Sequence, residues 1–198
     1  YIKIGTMFDV VGMSIFSEND TILFSALGFL NSIVANHIMK IINPTIHQSV
    51  GYMIMEPILE TSLTDRIVKN SIKLAKQDWD AFETSWDFQK SPLLTQNAVS
   101  LDQAYTNWSN ESLTRFNQLK SNEEELNRIF INLYGLQDEL TPEEDDKEVS
   151  VRKADQVRDI KAFLSYFMGC VFGRYSLDED GLVYAGGDWD ASKYTTFK

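Results

Sequence analysis

Thr64-Asp-Arg-Ile-Val-Lys-Asn-Ser-Ile-Lys-Leu-Ala-Lys-Gln-Asp-Trp-Asp-Ala-Phe-Glu-Thr-Ser-Trp86 is the stretch whose reading decides the fold class. Thr64 offers an N-cap and Asp65 a negative charge in the first turn, where the helix dipole favours it. Val68, Ile72, Ala75, Trp79, Phe82 and Trp86 recur every three or four residues and fall on one arc. Arg66, Lys69, Lys73 and Lys76 share a neighbouring arc. That spacing predicts an amphipathic helix with Trp79 and Trp86 turned inward, against Val68, Ile72 and the helices after Leu101. The other use of such aromatics, stacking on a nucleobase, would leave them exposed.

Working outward, further helices are expected over 101–119 and 122–134. The second opens at the capping-box pattern Ser121-Asn-Glu-Glu124 and closes at Gly135. Another is expected over 154–172, with Val157, Ile160, Phe163, Leu164, Phe167 and Val171 as its apolar stripe. Upstream, Ser17-Glu-Asn-Asp20 caps a helix running to about residue 42, where Asn43-Pro44 stops it. Residues 2–16 and 50–55 read as strands, and residues 174–177 and 182–185 as a hairpin turning at Gly181. Ser91-Pro92 marks a break, and Thr141-Pro-Glu-Glu144 opens an acidic connector. The expected class is mainly α with a small α/β N-terminal part. The chain divides into an α/β piece over 1–60, a helical domain over 61–175 and a β-hairpin over 176–198 that opens the next element.

The net charge of −11 is concentrated. Residues 121–148 carry ten carboxylates against Arg128 and Lys147, whereas 61–120 and 149–198 each balance seven against seven. Phosphate binding needs clustered Lys and Arg, so a free-standing nucleic-acid-binding domain is disfavoured, although a basic face on one helix is not. Tyr1 and the strand-like run before Lys198 read as cuts inside a longer protein. The single cysteine, Cys170, excludes an internal disulfide and points to a reducing, cytoplasmic setting, where Asn19, Asn107 and Asn110 match the glycosylation pattern by chance. Residues 22–42 approach membrane-span length, but Asn31, Asn36, His37 and Lys40 interrupt them and predict a buried helix.

Candidate chemistry is sparse. His37 and His47 lack metal-ligand spacing. Cys170 falls on an apolar helix face, as a structural thiol would. The run Asp178-Glu-Asp180-Gly181 lacks the alternating ligands of a calcium loop. Gly186-Gly187 and Gly169-Cys-Val-Phe-Gly173 lack the strand and helix of a phosphate cradle. The basic stripe Arg66, Lys69, Lys73 and Lys76 is the one feature with functional promise, as a set of contacts to a DNA backbone.

Three blocks carry a resemblance. Leu27-Gly-Phe-Leu-Asn-Ser32, Ile41-Ile-Asn-Pro-Thr45 and Pro57-Ile58 form the first. Asp78-Trp-Asp-Ala-Phe-Glu-Thr-Ser-Trp-Asp-Phe88, with Asn122 to Ile131 and Tyr134 to Pro142, forms the second. The third runs from Arg158 through Gly169-Cys-Val-Phe-Gly173 to Leu177, with Gly181 and Gly186-Gly187. Together they resemble the PglX-type adenine-specific DNA methyltransferases of BREX phage-defence systems. The resemblance implies a parent that moves a methyl group from S-adenosylmethionine to the exocyclic amine of a flipped adenine. The family's Asn/Asp-Pro-Pro-Tyr/Phe tetrapeptide and Phe-x-Gly-x-Gly cofactor loop are both missing here. The expected role is therefore a recognition or spacer segment without catalytic, cofactor or metal residues, meeting DNA through its parent and no membrane. The alternative is an interaction module that docks other defence subunits through the acidic stretch 138–148.

Overall fold

Helix α1 (Asp20–Leu30) begins at Asn19, whose side chain accepts from Thr21 N at 2.9 Å. It ends at a corner instead of running on to residue 42. Asn31 Nδ2 donates to Leu27 O at 2.8 Å, and Ser32 caps α2 (Ile33–Ile42) by accepting from Ala35 N. The two axes differ by 73°. A polar pair that caps one helix and closes another breaks an otherwise apolar run, and no single described helix is long and apolar enough to cross a membrane. Asn43 ends α2, as expected from the following proline.

The computed structural model describes residues 14–43 and 50–196. The remaining helices are α3 (Val50–Ile54), α4 (Asp65–Asp80), α5 (Pro92–Thr95), α6 (Leu101–Tyr134) and α7 (Gln156–Val171). Single 3₁₀ turns cover Ser62–Thr64 and Ala191–Lys193. The protein is mainly α, and no strand occurs among the described residues. Of the strands expected over 2–16, only 14–16 are described, and they carry no regular structure.

Two expected β elements are corrected. Residues 50–55 form α3, because a lone strand has no ladder to join and the backbone closes locally, Met55 N on Tyr52 O at 3.1 Å. The hairpin expected within 176–198 is an irregular loop. Gly181 does take the left-handed conformation (φ 81°), but its N–H bonds Gln89 O at 2.8 Å. Val183 N and Tyr184 N share one carbonyl, that of Arg174, and do not alternate along a ladder. Side chains hold the loop instead: Ser176 Oγ donates to Lys193 O at 2.6 Å, and Trp189 stacks on Tyr194 with centroids 4.3 Å apart.

Residues 101–119 and 122–134 form one helix, α6, of 34 residues. No Gly or Pro interrupts it, and Asn122, read as part of a capping box, instead donates to Asn70 Oδ1 at 2.7 Å. Gly135 ends it at φ 70°, with Leu136 N on Ile131 O at 3.0 Å.

The chain forms two compact units, residues 1–73 with 118–149, and residues 74–117 with 150–198. The first is centred on Phe29, Val34, Val68, Leu126 and Phe130. Gly28 lets α1 approach closely, since a Cβ there would stand 3.0 Å from Val68. The second holds one cluster of Phe82, Leu93, Ala104 and Trp108, and another of Phe88, Tyr166, Cys170 and Tyr175.

Candidate functional site

All four cations of the expected stripe lie on α4 and are exposed. In the first unit, Lys69 Nζ stands 4.6 Å from the centroid of Phe24, a cation–π contact at the surface. Arg66 and Lys73 make no ion pair among the described residues. Lys76, in the second unit, is engaged: its ammonium meets Asp80 at 2.6 Å and Asp87 at 2.7 Å, and these hydrogen bonds raise its pKa. Three cations are thus available to an anion without prior rearrangement.

The aromatic side of this stretch is a correction. Val68 and Phe82 are buried, but Trp79 is 55% exposed and Trp86 is 98% exposed. Helix α4 stops at Asp80, so the 3.6-residue register does not reach Trp86. A turn fastened by Ser85 Oγ to Asp80 Oδ1 (2.6 Å) carries Trp86 outward. Asp78 takes the buried place beside Trp79 and receives Arg152 Nε at 3.1 Å.

The acidic connector is tied down within the first unit. Asn127 Nδ2 donates to Pro142 O at 3.2 Å and to Glu144 at 3.1 Å, and Lys120 pairs with Asp146 at 2.6 Å. His37 stands 3.6 Å from Glu139. Between α2 and the connector lies an open cleft of about 800 Å³, bordered by Ser32, Met39, Glu56, Glu144 and Glu148. Glu56 Oε2 and Glu123 Oε2 are buried without a hydrogen-bond partner. Burial, then repulsion from Glu144, pushes the Glu123 carboxyl up to about 7, and burial also raises that of Glu56. Of the two, only Glu123 has a signal in the sequence, an acidic run on a helix that also carries the apolar residues Leu119, Leu126 and Phe130.

In the second unit a buried polar set was missed at the sequence level. Trp108 Nε1 donates to Asp159 Oδ2 at 3.0 Å, and Arg158 Nε donates to Asp159 Oδ1 at 2.7 Å. Asp155 caps α7 and its own N–H also bonds Asp159. Every oxygen of Asp159 is satisfied, which marks structure more than chemistry. Cys170 is buried, and burial pushes its thiol up, so little reactive thiolate forms. Among the described residues no group of three or more His, Cys, Asp or Glu could hold a metal ion; His47 lies outside them.

No protein-family model matches the chain. The adenine-specific methyltransferase PglX of Lacticaseibacillus casei (strain Zhang) is 49% identical over 208 aligned residues, covering the whole chain. The adenine-specific methyltransferase BrxX of Escherichia coli O9:H4 (strain HS) is 29% identical over 205 residues and 93% of the chain. The chain spans 17% of the length of each relative. Along its whole length, then, this chain is related to one portion of the PglX and BrxX adenine-specific methyltransferases.

Proposed function

We propose that the chain is a non-catalytic recognition or spacer segment of an S-adenosylmethionine-dependent, adenine-specific DNA methyltransferase acting in phage defence, and that α4 contacts the DNA backbone. Similarity along the full chain to methyltransferases of this specificity, in a sequence without the adenine-binding tetrapeptide, is the observation that supports it. The contact surface is the exposed row Arg66, Lys69 and Lys73, with Lys76 joining once Asp80 and Asp87 release it. From Arg66 to Lys76 the row extends about 15 Å at 1.5 Å per residue, enough to follow several phosphates. The acidic connector is spent largely on partners within its own unit, which leaves the alternative of a docking module without a supporting observation.

Reversing Arg66, Lys69 and Lys73 to Glu in the full-length methyltransferase is the test. Three lost phosphate contacts should flatten the log–log salt slope by about 2.7, at about 0.9 per contact, and weaken all sequences alike. Unchanged affinity and slope would place this face against protein or solvent.

A further inference from the structure

Helix α7 turns its apolar stripe the wrong way for a self-contained domain. The side chains it buries are Asp159, Tyr166 and Cys170. Ile160 and Phe163 are half-buried against the second unit's core. Val157, Leu164, Phe167, Met168, Val171 and Phe172 are 45–75% exposed. Val157, Ile160, Leu164, Phe167 and Val171 step by alternating threes and fours, the spacing that inserts side chains between those of a second helix. Lys161 lies on the same face, exposed and without an ion pair among the described residues.

We propose that the outer face of α7 is the packing surface for an apolar helix of the same polypeptide, outside these 198 residues, which sets a carboxylate opposite Lys161. The inference rests on the reading that the chain is a segment of a longer methyltransferase. Three observations choose this occupant. The relatives are several times longer than the match, so a covering segment is at hand. The face is about 24 Å long and roughly 10 Å wide, well short of the ~800 Å² per partner that a free, stable association buries. A tethered helix needs no such area, because its effective concentration replaces part of the lost translational freedom. Lys161 supplies the charge to be matched.

Cysteine accessibility in the full-length protein tests this. Leu164→Cys and Met168→Cys are compared with Asn110→Cys, an exposed site on α6 in the same unit. Maleimide labelling is followed by mass spectrometry at each site, and native Cys170 is buried. The two α7 sites should label at least about tenfold more slowly than Asn110→Cys, as protected positions do. Adding Lys161→Glu should speed them. Equal rates at all three sites would overturn the proposal. Protection lost on dilution would overturn it too, by making the cover a second copy. Protection insensitive to Lys161→Glu would overturn the carboxylate. None of these outcomes involves the α4 cations, so failure here and failure of the DNA reading are distinguishable.

Discussion

Asn127 occupies a place that the apolar face of α6 would give to leucine, and its whole side chain is in use. Oδ1 accepts from Ile33 N at 2.9 Å, at the start of α2, while Nδ2 reaches Pro142 O and Glu144. Asn127→Leu keeps the branching of the side chain but strands those partners and crowds the site, so unfolding by denaturant should show a loss of ~2–4 kcal/mol. Glu123 couples folding to pH. Its carboxyl stands near 7 in the folded chain against an ordinary 4.5, so the folded state holds a proton that the unfolded state gives up between those values. The contribution of Glu123 to stability is therefore greatest at and below about pH 4.5, falls as pH rises towards 7, and is flat above. After discount for partial exposure the loss is ~1–2 kcal/mol. Glu123→Gln should remove that slope; a melting temperature with the same pH dependence in both proteins would refute the assignment. Trp86, by contrast, is bare. Trp86→Ala should stay within ~0.5 kcal/mol of the parent, whereas Phe82→Ala should lose ~3–5 kcal/mol.

At the scale of elements, local capping chemistry was legible and helix continuity was not. Thr64 and Asp65, Asn43 before Pro44, and Gly135 stand near the helix ends their residue types announce. Ser121-Asn-Glu-Glu124 announces a start as well, but Asn122 finds Asn70 and Ser71 as partners and α6 passes straight through. A capping pattern is an offer that tertiary contacts are free to decline. The strand reading of residues 50–55 and the hairpin reading failed because β structure depends on a neighbour that no local sequence can promise. The apolar stripe of α7 is only partly buried in its own unit for another reason: Asp159 and Tyr166 take the inner face through hydrogen bonds that periodicity does not see. Gly169 belongs with them. A Cβ there would lie 2.5 Å from the Tyr175 ring, and that ring stacks on Tyr166 with centroids 5.1 Å apart. Gly169→Ala should push Tyr175 off the helix and destabilise the protein by ~1–3 kcal/mol in thermal or chemical unfolding.

For the whole molecule the governing quantity is charge. The chain carries −11 in total, most of it in residues 121–148, while its candidate DNA surface offers three exposed cations without an ion pair among the described residues. Salt screens exposed charges beyond about 8 Å at physiological ionic strength, so the stripe there feels chiefly the charges nearest to it. Lowering the salt strengthens both effects: the stripe pulls harder, but repulsion from the rest of the chain reaches farther. A phosphate-binding surface on a neutral or basic protein gains affinity steeply as salt falls. This chain alone should gain much less, and should bind duplex DNA no tighter than ~10⁻⁴ M, the weak end of non-specific binding. Fluorescence anisotropy with a labelled duplex across a salt series measures both. A micromolar affinity with a steep slope would mean that α4 acts independently of the charge around it. A weak, shallow response in the chain, beside a steep one in the full-length protein that the three reversals flatten by about 2.7, would mean that the rest of the polypeptide supplies most of the affinity and α4 adds to it.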